Sequence, residues 1–330
     1  MFNVAVIGAG RIGRIHAHNA IREPRLNLRH VVDPVAEAAE KLASETGAAV
    51  ATLDEALGDP DVAGIVVASS TDTHLDISRR ALAVGKAVFC EKPIDLDLAL
   101  ARAAADALDA PGARLFMGFN RRFDPNFANL HARLRAGELG ALETLHIVSH
   151  DPAPPPIAYV RVSGGLFRDM TIHDFDMARW LLGEEPVQVY ATGAALIDPK
   201  VAEAGDIDTA KVLLRTASGK ICMISNSRRS GYGYDQRIEA FCARGLLRAG
   251  NVQETTVEAW SEGGTAGAPL QNFFLDRYAA AYSREMAHFA DLITGEASAP
   301  SVGYRDAVAA LTLAEAALAS LNERRIVEVA

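Results

Sequence analysis

The chain has 330 residues, 49% of them hydrophobic, which is enough for two domains with ordinary buried cores. Its formal net charge of -9 makes nucleic acid and anionic membranes poor partners, so we expect a small-molecule ligand. Cys90, Cys222 and Cys242 are widely spaced, without a CxxC pair, which favours free thiols and a cytoplasmic location. The first residues form a strand pattern without a basic segment or cleavage site, and no apolar run approaches about 18 residues.

Residues 1–120 alternate short apolar runs with helix-length segments. The strand candidates are 4–7, 28–32, 64–68, 87–89 and 114–117, and helical patterns cover 35–46, 73–84 and 96–108. This β-α-β-α order predicts an α/β domain with a doubly wound parallel sheet and helices on both faces. We expect its ligand at the carboxyl ends of the strands.

A glycine-rich motif follows the first strand. Gly8, Gly10 and Gly13 have GxGxxG spacing before a helical pattern, and Asp33 ends the second strand roughly 20 residues onward. The glycines permit a tight turn and close approach of a pyrophosphate to backbone amides, while the acidic residue binds ribose hydroxyls and repels a 2′-phosphate. The motif therefore predicts a Rossmann domain that binds NAD rather than NADP. The alternative is a structural glycine turn with a capping Asp.

Polar residues also follow the later strands of this half. Ser69 and Ser70 precede a helix, where they act at least as N-caps and lie beside the expected cofactor. A Glu-Lys-Pro sequence contains Lys92, which is either a surface cation or a group that the Pro directs into the cleft. Arg121 and Arg122 follow the last strand near the predicted domain junction, which favours a functional role for one of them.

From residue 121 onward the pattern changes to strand-like runs separated by short turns. The runs are 142–149, 187–195, 210–215, 220–225, 237–242, 246–248 and 255–259, followed by amphipathic helical patterns at 273–293 and 305–325. They predict a second, α+β domain, residues 121–330, with an antiparallel sheet. The proline-rich segment 151–156 predicts a stiff loop.

One helix, predicted for residues 165–183, carries a polar stripe. Asp169, His173 and Asp176 share one face of it, and apolar residues flank them. Charged groups withdrawn from water need partners or a function, so the stripe is either a structural polar network or the acid/base wall of an active site. An Asp four residues before a His can orient a general base for an alcohol proton. Metal binding would need a further ligand such as His150, and no local spacing completes a zinc signature, so we expect no metal.

Three motifs together resemble the glucose-fructose oxidoreductase/inositol dehydrogenase/rhizopine-catabolism (Gfo/Idh/MocA) family. They are the GxGxxG of residues 8–13, the Glu-Lys-Pro of 91–93, and the Gly-Gly-x-x-x-Asp-x-x-x-His-Asp-x-Asp of 164–176. The resemblance spans essentially the whole chain, and the second and third motifs are the specific ones. It implies an N-terminal Rossmann domain, a C-terminal domain with a large, open, mostly antiparallel sheet used for oligomerisation, and commonly a homotetramer.

Segments 149–156, 163–176 and 227–237 are most similar to inositol dehydrogenases of this family. The similarity implies NAD-dependent oxidation of a ring alcohol of a cyclic polyol, with myo-inositol and its 2-keto product as first candidates. The chain departs from those enzymes at Asn120, where Met is common, and at 151–152, where Arg-Asn often follows the His. The alternatives are a dehydrogenase of another sugar or inositol isomer, an NAD-using glycosidase, and a cofactor-binding sensor without chemistry.

The resemblance also implies individual roles. His173 would take the hydroxyl proton, Lys92 would stabilise the developing alkoxide, and Asp169 would orient both. The positions implied to bind the cofactor are Gly8, Gly10, Arg11, Ile12, Gly13, Asp33, Ser69, Ser70, His74, Glu91 and Lys92. Those implied to contact the substrate are Asn120, Arg121, His150, Asp176, Tyr232 and Tyr234.

Overall fold

The computed structural model describes residues 1–329, which form two compact units. The first unit contains Met1–Phe123 and Ala280–Leu311, and the second contains Asp124–Ala279 and the described residues from Thr312 onward. The predicted division into two contiguous domains at residue 120 differs from this grouping, because residues 280–311 return to the first unit.

The strands and helices have the following bounds. The strands are β1 (Phe2–Ile7), β2 (Leu26–Val32), β3 (Ala49–Val50), β4 (Val62–Val67), β5 (Ala87–Glu91), β6 (Leu115–Gly118), β7 (Leu142–His150), β8 (Pro186–Ala194), β9 (Thr209–Thr216), β10 (Ile221–Ser227), β11 (Asp235–Cys242), β12 (Gly245–Ala249), β13 (Glu258–Ser261), β14 (Gly264–Gly267) and β15 (Val327–Glu328). The helices are α1 (Arg11–Arg22), α2 (Ala36–Thr46), α3 (Leu53–Gly58), α4 (His74–Ala83), α5 (Leu98–Ala103), α6 (Ala105–Leu108), α7 (Pro125–Arg135), α8 (Ile157–Val160), α9 (Ile172–Leu182), α10 (Pro199–Glu203), α11 (Phe274–Arg277), α12 (Ala279–Thr294) and α13 (Tyr304–Glu323). Within residues 1–329, no helix is both long and apolar enough to cross a membrane.

The first unit is built on a six-stranded parallel sheet in the order β3-β2-β1-β4-β5-β6. The predicted doubly wound sheet is confirmed, with β3 as a short strand that the apolar pattern did not indicate. Strand order reverses between β1 and β4. In doubly wound sheets this switch point is where ligands bind, outside the carboxyl ends of the strands.

Helix α12 packs on this sheet although it follows the second unit in sequence. A Cβ at Gly64 of β4 would lie 2.7 Å from side-chain carbons of Phe289 and Ile293. Both of these apolar residues are buried, so the glycine provides the space into which α12 packs. This contact is one of those that attach α12 to the first unit.

A buried polar cluster joins α1, the end of β5 and α12. His16 is fully buried, and its Nε2 lies 2.7 Å from Oε1 of Glu91. Glu285 is also fully buried, and neither of its carboxyl oxygens has a hydrogen-bond partner among the described residues. Burial, and then the charge of Glu91, raise the pKa of Glu285 well above its usual value. The fold therefore favours the protonated acid at this position.

The second unit is built on a seven-stranded sheet in the order β12-β11-β7-β10-β9-β8-β15. Its pairs are antiparallel except β7 with β10, so the predicted large, mostly antiparallel sheet is confirmed. The strand predicted at 255–259 is wrong in its position, because the structure has a strand at Glu258–Ser261. Strand β13 instead pairs with β14 in an exposed hairpin, because the turn at 262–263 lets the two short runs pair locally without a buried face.

The two faces of the second sheet differ in burial. In β9, residues Ala210, Val212 and Leu214 are buried while the alternate residues are exposed. Helix α9 packs against β7 of this sheet. On the open face, Leu213 and its neighbour Met223 are 44% and 43% exposed. This face therefore presents apolar side chains to its surroundings.

We predict that Glu285→Gln makes stability less sensitive to alkaline pH. A carboxyl group whose pKa is raised by folding contributes stability that is complete below its unfolded pKa and is lost as pH rises through its folded pKa. The amide has no proton to lose. Thermal unfolding measured from about pH 6 to about pH 9 should therefore show a smaller fall in midpoint for Glu285→Gln than for the wild type. Glu40→Gln, at an exposed position of α2, is the control, and a wild-type slope in Glu285→Gln would contradict the prediction.

Candidate active site

The glycine-rich turn joins β1 to α1 at the switch point. Gly8 has φ +103°, and a Cβ there would lie 2.4 Å from the carbonyl oxygen of Ala68. A Cβ at Gly13 would lie 1.8 Å from the carbonyl oxygen of Gly8. Both glycines are therefore required by the packing of the turn itself. A Cβ at Gly10 would meet no atom within 4 Å, so the space over this residue at the start of α1 is open to an anionic ligand.

Asp33 ties the end of β2 to the glycine turn. Its Oδ2 accepts a hydrogen bond from the backbone N–H of Ala9 at 2.7 Å, and its Oδ1 accepts one from Val35 at 2.8 Å. Neither bond caps a helix, because the N-caps of α1 and α2 are Gly10 and Val35, and neither helix has a side-chain cap hydrogen bond. A carboxylate has about four acceptor positions, so two backbone bonds leave capacity for ribose hydroxyls.

His74 links two strand ends of the first unit. Its Nδ1 lies 2.8 Å from the carbonyl oxygen of Pro93, and its Nε2 lies 3.1 Å from that of Ser69. Burial acts to lower the pKa of His74, but Cys90 and the two carbonyl oxygens outweigh it and raise the pKa to about 9. An imidazolium can donate to both carbonyl oxygens. The buried ring of His74 therefore holds the loop after β4 against the loop after β5.

The Glu91 carboxylate organises the start of the Glu-Lys-Pro turn. One oxygen contacts His16, and the other lies 3.3 Å from the backbone nitrogen of Lys92. The structure therefore fixes the backbone from which the Lys92 side chain extends. Two predicted substrate residues follow β6 in a tight 3₁₀ turn, where Asn120 and Arg121 are each 5% exposed.

The polar helix of the second unit begins differently from the prediction. Residues Phe167–Thr171 form a wider π-helical turn, and α9 follows as a regular helix that Gly183 ends with φ 69°. At the end of this turn the Thr171 hydroxyl donates to Oδ1 of Asn226 on β10 at 2.8 Å. One continuous α-helix over 165–183 is therefore wrong, and Asp169 lies in the π turn.

Two side chains of the second unit hold the Asp169 carboxylate. Tyr159 donates its hydroxyl to Oδ1 at 2.8 Å, and Arg228 donates from Nη2 to Oδ2 at 3.0 Å. The Arg228 side chain is only 3% exposed, and its Nη1 lies 4.0 Å from Oδ2 of Asp151. The sequence does not distinguish Arg228, in a Ser-Arg-Arg run, from the exposed Arg229 beside it.

Helix α9 buries two carboxylates. Asp176 is 1% exposed, and its Oδ1 lies 3.8 Å from Nη1 of Arg179. Asp174 is fully buried and accepts a hydrogen bond from Nδ2 of Asn226 at 2.7 Å. Asp174 was missed because it lies outside the predicted stripe. His173 and Asp169 are half-buried, so the helix combines a structural polar network with two residues that remain accessible.

Strand pairing brings predicted substrate residues together at one sheet edge. His150 ends β7, and Asp235 begins β11 directly opposite it. Tyr232 donates its hydroxyl to Oδ2 of Asp235 at 2.6 Å. Tyr232 is 61% exposed, whereas Tyr234 is 7% exposed. Asp235 was not predicted, because only the register of β7 with β11 places it beside His150.

Comparison with known proteins identifies the family. The model of an oxidoreductase family with an NAD-binding Rossmann fold matches residues 2–119, and the GFO/IDH/MocA C-terminal domain matches residues 127–248. The chain belongs to the Gfo/Idh/MocA oxidoreductase family. This family member is an NAD-dependent dehydrogenase, as the resemblance implied, and NAD is its cofactor. The open space over Gly10 and the spare acceptor capacity of Asp33 fit that cofactor.

Similar proteins cover the whole chain. It is 46% identical to the inositol 2-dehydrogenase of Rhizobium meliloti over 98% of both chains. The myo-inositol dehydrogenase of Corynebacterium glutamicum is 44% identical, with a TM-score of 0.95 over 100% of this chain and 99% of that one. The scyllo-inositol dehydrogenase of Lactobacillus casei, solved with bound NAD(H) and scyllo-inositol, is 26% identical with a TM-score of 0.93 over 100% and 99%. In residues 1–329, no three His, Cys, Asp or Glu side chains are grouped so as to hold a metal ion.

We predict that Gly10→Ala and Gly13→Ala separate cofactor binding from folding. Gly10→Ala adds a methyl group where the protein has space, so the thermal unfolding midpoint should stay unchanged while NADH affinity falls by about tenfold or more. Gly13→Ala forces a backbone clash, so both quantities should fall. NADH fluorescence titration and thermal unfolding measure the two effects. Wild-type NADH affinity in Gly10→Ala would show that the cofactor does not approach this residue.

Proposed function

We propose that this dehydrogenase oxidises a secondary ring alcohol of a cyclic polyol, with myo-inositol as the first candidate substrate and 2-keto-inositol as its product. The observation that carries the proposal is similarity over nearly the full length to dehydrogenases whose names specify inositols. The segments that resembled inositol dehydrogenases include His150, Asp169 and His173, so the similarity extends to the polar residues with which a polyol would react.

The proposed chemistry assigns one task to each catalytic residue. NAD, when bound, supplies the acceptor for the electron pair that leaves the alcohol carbon. His173 takes the hydroxyl proton, since an imidazole both accepts and donates protons near neutral pH. Lys92 stabilises negative charge on the same oxygen, and Asp169 orients the imidazole. Support for the last assignment is that Tyr159 and Arg228 hold the Asp169 carboxylate in place.

We further propose how a cyclic polyol is recognised. Each ring hydroxyl both donates and accepts hydrogen bonds, so a specific site needs acidic acceptors as well as N–H and O–H donors. The predicted substrate residues supply both kinds: Asn120, Arg121, His150, Asp176, Tyr232 and Tyr234. We propose that the cofactor is bound by the residues predicted from the sequence, which are Gly8, Gly10, Arg11, Ile12, Gly13, Asp33, Ser69, Ser70, His74, Glu91 and Lys92. Asp33 selects NAD over NADP by repelling a 2′-phosphate.

We also propose that the chain is a homotetramer that associates through the open face of its second sheet. Leu213, Met223 and Phe241 on this face are 44%, 43% and 52% exposed. Exposed apolar groups gathered on one sheet face are typical of an interface. Sedimentation velocity should give about four times the chain mass of 35.1 kDa.

NADH formation across inositol isomers and hexoses tests the proposed substrate. We expect the highest kcat/KM with myo-inositol and NAD, and a much lower value with NADP because of Asp33. A hexose preferred over every inositol would identify a sugar dehydrogenase instead. Cleavage of a glycoside without net NADH would favour the glycosidase alternative, and no turnover across the panel would favour a sensor.

We predict that His173→Ala lowers turnover by about 10²- to 10⁴-fold, the usual contribution of a general base, while NADH affinity stays unchanged. Steady-state kinetics and NADH titration measure the two quantities. His131→Ala is the matched control, because the His131 ring of α7 stacks on Trp180 of α9, the helix that carries His173, with ring centroids 3.9 Å apart, and so tests the packing of α9 alone. Wild-type turnover in His173→Ala would remove the residue from the mechanism.

A further inference from the structure

A chain of polar side chains crosses four neighbouring strands of the second sheet and includes His150. Lys211, Ser225, His150 and Asp235 lie on the open face of the sheet, the face of the proposed subunit interface, in β9, β10, β7 and β11 respectively. Lys211 Nζ is hydrogen-bonded to Ser225 Oγ, which lies 2.8 Å from Nε2 of His150. Nδ1 of His150 lies 3.9 Å from Oδ2 of Asp235. We call these four residues the cross-strand chain.

The chemistry of Lys211 and Ser225 fixes the direction of the hydrogen bonds. A lysine ammonium only donates, so Ser225 Oγ accepts from Lys211. Ser225 is 4% exposed, and among residues 1–329 its hydroxyl contacts no hydrogen-bond partner besides Lys211 and His150. Buried hydroxyl protons need an acceptor, and Nε2 of His150 is the one available. Nε2 therefore accepts.

The charges around His150 keep its ring neutral. Burial lowers the pKa of His150, Asp235 opposes this, and the positive charges of Lys211 and Arg237 lower it further, so the net shift is downward. These charged groups face the ring from β9 and β11. A neutral imidazole with an accepting Nε2 carries its proton on Nδ1.

Asp235 favours the same arrangement from the other side of the ring. It is fully buried and accepts hydrogen bonds from Tyr232, Arg237 and Asn251. Burial acts to raise the pKa of Asp235, but these hydrogen bonds outweigh it and lower the pKa, so the group is a carboxylate. The negative charge on Oδ2 of Asp235, near Nδ1 of His150, stabilises a proton on that nitrogen.

We propose that Lys211 is a positioning residue that selects the Nδ1–H tautomer of His150 and so makes His150 a hydrogen-bond donor to a substrate oxygen. This rests on the proposed function, in which His150 contacts a polyol hydroxyl. With Nε2 already accepting from Ser225 and Nδ1 already protonated, His150 cannot remove a hydroxyl proton. The substrate oxygen that it contacts accepts a hydrogen bond, and proton removal is left to His173.

Solid-state ¹⁵N NMR of histidine-labelled protein in its native assembly, with His150→Gln to assign the signal, tests the tautomer directly. The wild type should show a protonated Nδ1 and an unprotonated Nε2. Lys211→Met should give a mixture of tautomers and a higher pKa for His150, because a nearby positive charge is removed. Ser225→Ala should also mix the tautomers although Lys211 keeps its charge. Lys211→Arg keeps a donor and a charge and should restore the wild-type signals.

Kinetics of the same variants test the contact with substrate. Lys211→Met should raise KM for the preferred polyol in inverse proportion to the fraction of His150 that keeps the Nδ1–H tautomer, about twofold for an equal mixture, with kcat and NADH affinity near wild type. Lys200→Met, on α10 and outside the cross-strand chain, is the control and should leave KM unchanged.

An Nε2–H tautomer in the wild type, or the wild-type tautomer retained in Lys211→Met, overturns the proposal whatever the activity. Mixed tautomers in Lys211→Met together with an unchanged KM would show that His150 does not donate a hydrogen bond to the substrate. If the wild type oxidises no polyol, the proposed function fails, and the NMR result still decides whether Lys211 controls His150.

Discussion

Carboxyl groups withdrawn from water constrain this protein more than any other feature, because each needs a partner or, like Glu285, stays protonated. Glu91 meets His16 and the backbone of Lys92 in the first unit, while Asp169 meets Tyr159 and Arg228 in the second. In both units the partners hold the main chain or side chain of a proposed catalytic residue. In the second unit the structural polar network and the proposed acid/base site, two alternatives for the sequence, therefore share Asp169.

The sequence predicts the first unit well because its signals are local. A GxGxxG turn, an acidic residue after β2 and an apolar run for nearly every strand lie within short windows, and the steric demands at Gly8 and Gly13 explain the motif directly. The same holds for the existence of most strands of the second sheet, although their order in the sheet was not predicted. Helix α12 could not be placed, because its packing over Gly64 depends on a contact between distant parts of the chain.

The site residues that could not be predicted from the sequence are those that only the register of paired strands brings next to one another. Asp235 and Lys211 have no motif around them, and only the pairing of β11, β7, β10 and β9 brings them toward His150. Arg228 likewise looks like a surface cation until Asp169 is placed beside it. The π turn before α9 was not predicted, because over five residues the pattern of apolar side chains does not distinguish a π turn from a turn of α-helix.

The return of α12 to the first sheet affects how the protein is made. Strands β1 to β6 leave the ribosome early, but the helix that covers Gly64 follows only after the strands β7 to β14 have been synthesised. Until then Glu91 lacks the neighbouring Glu285, and the surface that α12 buries stays in water. The nucleotide-binding half of the enzyme therefore completes its folding near the end of translation, although its sequence comes first.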